Sequence, residues 1–174
     1  MAAYGETNLV GILLGAAIGR PLADYLSEKI WVPAGMEQQA TWILSKSGKE
    51  ISGCCIQAAA RDFARFGLFI LNGAKVDGRS VVADGYLGEA TRQQVPIGQP
   101  ERGYGYQWWT YADGSFAARG IFGQGIFIDP ARELVIVSNG NWAEGASHAV
   151  PSRARDAFYR TVQKALDETP RPAS

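Results

Sequence analysis

The stretch ARGIFGQGIFIDP, residues 118–130, places Gly120, Gly123 and Gly125 within six positions. Such a cluster can cradle a phosphate, form a tight turn, or let a substrate approach the bare backbone. Nucleotide-binding loops use G-x-G-x-x-G between a strand and a helix, whereas the order here is G-x-x-G-x-G with strand-like residues on both sides. The spacing therefore predicts a strand and turn rather than a phosphate loop, and argues against a nucleotide cofactor.

Nucleophilic catalysis by a histidine-activated group would depend on His148, the one histidine of the chain. No Gly-x-Ser-x-Gly motif is present, and no serine has a lysine three positions later, so the Ser-x-x-Lys motif is also absent. We therefore interpret His148 as a surface residue. A different nucleophile, at Cys54, Cys55 or Ser52, stays open as an alternative.

Cys54 and Cys55 are the only cysteines, and they are adjacent. Neighbouring cysteines rarely form a disulfide, so we expect two reduced and buried thiols. With one histidine and no Cys-x-x-Cys spacing, the sequence predicts no metal site, and no cofactor.

The 174 residues suit a single domain, which we place at residues 1–168, followed by a disordered tail at 169–174. The formal net charge is zero, which argues against a nucleic-acid partner or an anionic membrane surface.

The apolar run 9–18 near the start is too short to span a bilayer, and no Lys or Arg precedes it as in a secretion signal. We expect a buried core helix instead. The compartment is unknown: the chain as it stands is interpreted as cytoplasmic, and a periplasmic location is possible for a full-length form.

The first half of the chain favours helices. Helical spacing, caps and breakers predict helices at residues 7–18, 21–30, 57–72 and 81–93, with a turn at 31–36 and a loop at 45–53. In the third helix Ala59, Phe63, Phe66 and Ile70 form an apolar stripe.

The second half favours strands. A loop at 96–103 precedes predicted strands at 104–111, 116–119, 125–128 and 134–137, with turns at 113–114 and 130–133. A final helix is predicted at 151–166, with an apolar stripe of Ala154, Phe158, Val162 and Leu166. All predicted strands lie between about 103 and 138, which gives an α+β fold. We expect an antiparallel sheet with the closing helix on one face and the early helices on the other.

Several stretches together resemble the second half of the serine β-lactamase and penicillin-recognising hydrolase superfamily. The resemblance is strongest to the 6-aminohexanoate-dimer hydrolases and class C-like esterases. It rests on YGETNLVGILLGAAIGRPLADYLSEKIWVPAGM, CCIQAAARDFARFGLFILNGAKVDGRSVV, YGYQWWT and ARGIFGQGIFIDPARELVIVSN, in that order, across roughly residues 4–167.

The resemblance implies a partial β-lactamase/transpeptidase-like fold and acyl transfer. In that family the serine of Ser-x-x-Lys attacks an amide, ester or lactam carbonyl, and water then releases the acyl group. A tyrosine moves the proton and backbone N–H groups stabilise the oxyanion. The implied partner is a small amide, ester or lactam substrate of the full-length family. This chain resembles the family only from its second motif onward.

The resemblance also suggests site residues. The family's tyrosine is expected at the position of Ala2, and Tyr4 is the only tyrosine nearby, so Tyr4 is the candidate for proton transfer. The third motif corresponds to residues 120–125. The substrate-binding candidates are Gly120, Phe122, Gly123, Gln124, Gly125 and Trp109. Of Trp108 and Trp109, one is expected in the core and the other on the cleft wall, since neighbours on a strand face opposite sides.

Two hypotheses of function follow. In the first, the chain is the C-terminal part of a serine hydrolase and is inactive without the nucleophile, which a missing N-terminal half would supply. In the second, it is a non-catalytic binding or assembly module on the same fold. Exposed apolar surface would then favour a homo-oligomer.

Overall fold

The computed structural model describes residues 3–143 and 149–169. The chain forms two compact units, Met1–Phe66 and Gly67–Ser174, and the division falls inside one helix. The single domain expected at 1–168 stays a prediction. The expected disordered tail lies outside the described residues beyond Thr169.

The first unit is mostly helical. It contains α1 (Ala3–Ile18), α2 (Leu22–Leu26), a π-helical turn (Ser27–Trp31), the short antiparallel pair β1 (Thr41–Trp42) and β2 (Ile56–Gln57), and the start of α3 (Ala60–Leu71). Pro21 precedes α2, where its fixed φ suits a helix start. The helices predicted at 7–18 and 21–30 are confirmed, and the second ends in the π-turn.

Helix α1 is exposed, so the expectation of a buried core helix was wrong. Its large apolar side chains are accessible: Leu9 56%, Val10 61%, Ile12 64%, Leu13 61% and Leu14 42%. Among residues 5–18, whose burial is described, only Gly11 is buried, where Ser52 and Leu22 approach it closely. Apolar composition predicted the helix correctly, but it cannot show which surface covers that helix.

Helix α3 buries a carboxylate rather than only the predicted apolar stripe. Asp62 is fully buried, and its oxygens accept hydrogen bonds from the backbone N–H groups of Glu37 (2.8 Å) and Gln38 (3.1 Å). Phe63 and Phe66 of the predicted stripe are half-buried. Asp62 therefore holds the segment around residues 37–38 in place, because its carboxylate accepts hydrogen bonds from two consecutive backbone N–H groups of that segment.

The second unit is built on a sheet. It contains the hairpin β3 (Lys75–Val76) and β4 (Arg79–Ser80), then α4 (Tyr86–Ala90), the strands β5 (Val95–Gln99), β6 (Arg102–Tyr104), β7 (Trp109–Tyr111), β8 (Phe116–Arg119), β9 (Gln124–Asp129) and β10 (Leu134–Asn139), and finally α5 (Ala149–Glu168). The sheet is antiparallel, in the order β10-β9-β8-β7-β6-β5. The antiparallel sheet and the closing helix are confirmed.

Three boundaries differ from prediction. The strand expected at 104–111 is split into β6 and β7 because Gln107 has a φ of 66° and turns the chain. The loop expected at 96–103 mostly forms β5 and β6, and the helix expected at 81–93 shrinks to α4 after Gly85, which has a φ of 79°. Strands also occur outside 103–138, namely β1 to β4 and the whole of β5. Strands β1 to β4 have two residues each and leave no periodic pattern, and β5 contains Pro96 and Gly98, which are typical of a loop.

The core of the second unit lies between the sheet and α5. Phe127 of β9 stacks on Tyr159 of α5, with ring centroids 4.4 Å apart, and Ala117 of β8 completes the buried cluster. On the opposite face, Val135 and Ile126 approach Gly67 of α3 so closely that a Cβ there would lie 2.5 Å from Val135 Cγ1. The closing helix thus covers one face as expected, and α3 meets the other at Gly67.

The buried face of α5 is not the predicted apolar stripe. Asp156, Tyr159 and Gln163 are buried, whereas Phe158 is 55% and Leu166 41% exposed. The sheet under α5 carries polar side chains that pair with the helix. Asp156 pairs with Arg102 and Arg119, and Gln163 donates to Asp129, so these polar residues are the buried ones. Apolar periodicity alone therefore selected the wrong face.

Among the described residues, no single helix has the length and apolar character to cross a membrane. One pair of consecutive helices, Gly5–Ile18 and Leu22–Trp31, has the combined length and apolar composition of a membrane span, but the two helices meet at an angle of 79°.

Candidate functional site

The predicted site residues 120–125 span the turn between β8 and β9 and the first two residues of β9. The N–H of Gly120 donates to the carbonyl of Gln124 (2.8 Å), which closes the turn at its base. The N–H of Phe122 donates to Oε1 of Gln124 (3.1 Å). The side chain of Gln124 therefore stabilises the turn from inside and fixes its shape.

Each glycine of the turn lies against another part of the chain. An added Cβ would lie 2.4 Å from Gln124 Oε1 at Gly120, 2.4 Å from Trp142 Nε1 at Gly123, and 2.8 Å from the Tyr159 hydroxyl at Gly125. Gly123 also has a φ of 91°, which side chains rarely adopt. Close internal packing therefore explains why these positions carry no side chain, while their contact with substrate stays a prediction.

The carbonyl groups of the turn are occupied by side chains and backbone from later elements. Ser138 Oγ donates to the carbonyl of Gly123 (2.9 Å), and Arg155 Nη1 donates to that of Gln124 (3.0 Å). The backbone N–H of Trp142 donates to the carbonyl of Phe122 (2.9 Å). Strand β10, its following segment and helix α5 all hold the turn in place.

The tip of the turn is apolar and open. Ile121 is 42% and Phe122 43% exposed, so two large side chains project from a backbone that is otherwise fixed. Contact between Phe122 and a substrate stays a prediction.

Arg119, directly before the turn, connects it to α5. Its guanidinium donates to Ser152 Oγ (2.6 Å) and to the Tyr111 hydroxyl (3.1 Å), and it lies 5.6 Å from the centre of the Trp109 ring. It also approaches Asp156, with Nη1 3.2 Å from Oδ1. The base of the turn is therefore fixed by charge as well as by packing.

Asp156 is the shared anion of this region. Its carboxylate pairs with both Arg102 and Arg119, and the residue is 4% exposed. Its Oδ1 makes an ion pair with Arg119 without hydrogen-bond alignment. Two guanidinium groups on one buried carboxylate leave a net positive charge beside the turn.

The buried phenols nearby keep their protons at neutral pH. Burial raises the pKa of Tyr111 and of Tyr159 above the ordinary value for tyrosine. Burial and the adjacent Arg119 lower the pKa of Arg155, which nevertheless stays a cation because arginine titrates far above neutral pH. These groups are therefore suited to hydrogen bonding and charge, not to general base catalysis at neutral pH.

Trp108 and Trp109 are both half-buried, so the division into a core and a cleft tryptophan stays a prediction. Trp108 packs edge-on against the buried Phe116, with ring centroids 5.2 Å apart. Trp109 packs edge-on against Tyr104 at 5.3 Å and pairs with Ala117 of β8, so it lies on the strand next to the one that leads into the turn. Contact between Trp109 and a substrate stays a prediction.

The remaining candidates lie elsewhere. Tyr4 belongs to the first turn of α1 in the first unit, and its side chain is not among those described; its catalytic role stays a prediction. His148 lies outside the described residues. Ser52 packs closely against α1 at Gly11.

The expectation of two reduced, buried thiols was wrong. Cys54 and Cys55 are bonded to each other, and Cys54 is exposed. Cys55 has a φ of 81°, a left-handed backbone that sequence reasoning did not anticipate for a non-glycine residue. In the disulfide neither sulfur is a thiolate, so neither is a nucleophile in this form.

Sequence reasoning missed the residues that hold the turn, among them Arg119, Ser138, Trp142, Arg155 and Asp156. Two features of the sequence could have suggested a buried ion pair. Arg119 directly precedes the glycine cluster, and Asp156 lies near the start of the last helix. Within the described ranges, no group of three or more His, Cys, Asp or Glu side chains could hold a metal ion. The absence of a metal and of a cofactor stays a prediction.

Comparison with known proteins agrees with this architecture. The family model described as Beta-lactamase matches residues 3–159. A 6-aminohexanoate-dimer hydrolase of Paenarthrobacter ureafaciens is 26% identical over 150 residues, which is 80% of this chain and 38% of that protein.

A solved structure is also similar. It is described as "Putative 6-aminohexanoate-dimer hydrolase from Bacillus anthracis" and has a TM-score of 0.81 and 26% identity, and the match covers 97% of this chain and 44% of that one. The chain thus spans less than half the length of either relative. Because the family model matches most of the chain, the chain belongs to the β-lactamase family.

Proposed function

We propose that this chain is the C-terminal part of a β-lactamase-family serine hydrolase that acts on amide, ester or lactam bonds. The observation that carries the proposal is the match across residues 3–159, together with coverage of 38% of a 6-aminohexanoate-dimer hydrolase. The sheet and its β8–β9 turn are the parts of such an enzyme that this chain contributes.

The chemistry of the family requires a nucleophile that this sequence lacks. In acyl transfer a serine oxygen bonds to the carbonyl carbon, the leaving amine or alcohol takes a proton, and water then displaces the acyl group. No Ser-x-x-Lys motif occurs in the 174 residues. We therefore expect the chain by itself to be inactive, with the nucleophile supplied by another part of the fold.

The β8–β9 turn is the proposed substrate wall. Phe122 offers an exposed aromatic surface, and Gln124, whose Oε1 is used within the turn, has an amide nitrogen that could donate to a substrate oxygen. The apolar tip residues Ile121 and Phe122 suit the methylene chain of an amide or ester substrate. Trp109 is the further candidate of the same sheet, and Tyr4 of the first unit is proposed separately for proton transfer.

A panel of substrates tests the proposal: a chromogenic cephalosporin, short p-nitrophenyl esters and the linear aminohexanoate dimer. We expect no serine-dependent turnover with any of them. The proposal would be contradicted by robust hydrolysis that is lost when one serine or cysteine of this chain is substituted. The alternative nucleophiles are tested with three variants, Ser52→Ala, Cys54→Ser and Cys55→Ser.

Binding to the wall is tested separately by saturation-transfer NMR with the aminohexanoate dimer. We expect weak contacts that decrease in Phe122→Ala and Gln124→Ala. Gln99→Ala is the matched control, because Gln99 is an exposed glutamine on strand β5 of the same sheet. Equal contacts in all three variants would remove the turn from the proposed site.

A non-catalytic assembly module is the second candidate function. It is favoured by the exposed apolar side chains of α1, which include Ile12 and Leu13. Sedimentation distinguishes the two candidates in part: a defined homo-oligomer without any hydrolysis supports the module, whereas a clean monomer that binds no apolar surface dye counts against it.

A further inference from the structure

The adjacent pair Cys54 and Cys55 lies on the surface and plays no part in the proposed hydrolase chemistry. The two residues are joined by a disulfide that closes a small covalent ring. Cys54 is exposed and Cys55 is half-buried. An incoming thiolate can therefore reach the sulfur of Cys54, and access of this kind is a requirement for thiol–disulfide exchange.

The ring coincides with an uncommon backbone conformation. Cys55 has a φ of 81°, in the left-handed region that non-glycine residues rarely occupy. Such a residue stays there only when its surroundings hold it there. The covalent link to Cys54 is one such restraint, and opening it lets residue 55 return to the ordinary negative φ.

The peptide groups of this pair hold the β1–β2 hairpin together. The indole N–H of Trp42 is shared between the carbonyls of Ile51 (2.9 Å) and Cys54 (3.1 Å), and the carbonyl of Cys55 accepts from the N–H of Ile43 (3.2 Å). A change of φ at Cys55 reorients the peptide group between the two cysteines. It therefore acts directly on the bond to Trp42.

The same turn is attached to helix α1. The N–H of Gly53 donates to Oδ1 of Asn8 (2.9 Å), and Ser52 lies against Gly11. Within the first unit, one hydrogen bond and one packing contact thus connect the segment before the cysteine pair to α1.

We propose that Cys54–Cys55 is a reversible redox site whose co-substrates are low-molecular-weight thiols and their disulfides. A thiolate bonds to the Cys54 sulfur, the Cys54–Cys55 bond breaks, and Cys55 leaves as a thiolate that takes a proton. A second thiol attacks the mixed disulfide, Cys54 leaves and is protonated, and the two small thiols depart as one disulfide. The protein gains two electrons and two protons, and the hairpin loosens around Trp42.

Intact mass and alkylation test the first part. The chain has only these two cysteines, so the readout is unambiguous. After equilibration with glutathione disulfide, the protein should take up no iodoacetamide; after reduction by a dithiol it should gain two hydrogens and take up two labels. Two labels, or two glutathione adducts, on the glutathione-disulfide-treated protein would overturn the proposal.

Hydrogen exchange of residues 41–57 tests the second part. We expect exchange there to be several-fold faster in reduced than in oxidised wild type, with α5 unchanged. Equal exchange in the two forms would overturn the coupling. This comparison needs no variant, so a folding defect cannot obscure it.

Two double variants test the role of the left-handed backbone. Cys54→Ser with Cys55→Ser should exchange like the reduced protein, whereas Cys54→Ser with Cys55→Gly should remain closer to the oxidised protein, because glycine adopts a φ near 81° without a covalent restraint. Identical exchange in the two variants would show that the backbone conformation of residue 55 does not carry the effect.

Discussion

At the scale of single residues, the β8–β9 turn depends on positions where the chain has no room for a side chain. Gly123 has both a left-handed φ of 91° and the Trp142 indole in the space that a Cβ would fill. The sequence showed that glycines cluster here, and it predicted the turn. It could not show Trp142, because a loop residue some twenty positions away gives no periodic signal.

Gly123→Ala is predicted to lower the free energy of unfolding by about 2–4 kcal/mol. About 1–2 of this comes from the left-handed backbone and the rest from crowding against the indole. Gly114→Ala is the matched control, since Gly114 has a φ of 83° but nothing within 4 Å of the added Cβ. Urea denaturation measures both; equal losses would show that Trp142 does not crowd Gly123.

The carboxylate of Asp156 neutralises two arginines beside the β8–β9 turn, Arg102 and Arg119. Asp156→Asn is predicted to destabilise the protein by about 3–5 kcal/mol, because it leaves Arg102 and the nearly buried Arg119 without their anion. Glu168→Gln on the same helix breaks only the exposed pair with Lys164 and should change stability by less than about 0.5 kcal/mol. Similar thermal midpoints for Asp156→Asn and wild type would contradict this account.

At the scale of elements, the sequence predicted the sheet and the closing helix well. Strand β8 falls where it was expected, and β9 and β10 extend one or two residues further. The orientation of α5 was predicted wrongly, because Asp156 and Gln163 bury in place of Phe158 and Leu166. Polar side chains bury only against specific partners, and those partners lie on strands distant in sequence. A periodicity argument does not contain that information.

Adjacent substitutions on α5 distinguish the two faces. Tyr159→Ala should cost about 3–5 kcal/mol of stability, because it removes the ring stacked on Phe127 from the core. Phe158→Ala should cost less than about 1 kcal/mol, since its side chain is 55% exposed. Chemical denaturation measures both losses of stability. A larger loss for Phe158→Ala than for Tyr159→Ala would support the apolar stripe predicted from the sequence instead.

At the scale of the whole molecule, exposed apolar surface is the main departure from expectation. Composition predicted an ordinary globular protein, and α1 was expected in a core. Instead, five of its large apolar side chains are more than 40% exposed. Such a surface favours association with another polypeptide. Family membership was recognisable from four stretches in order, but no sequence pattern shows which surface covers α1.

The α1 surface is predicted to drive association. Ile12→Ser with Leu13→Ser should reduce binding of an apolar surface dye and shift sedimentation towards monomer, with little loss of stability because both side chains are exposed. Leu22→Ser is the control: Leu22 is 8% exposed, so the change should destabilise the protein by about 2–4 kcal/mol without reducing dye binding. Unchanged association in the double variant would place the contact elsewhere.

The chain belongs to the β-lactamase family, and we propose that it contributes the sheet of a serine hydrolase without the acylated nucleophile. The most direct measurement is intact mass after incubation with a reactive β-lactam and with an activated ester, because a nucleophile of this family forms a covalent acyl adduct. We predict an unchanged mass under conditions that acylate a serine hydrolase of the same family. A stoichiometric acyl adduct that maps to one residue of this chain would contradict the claim.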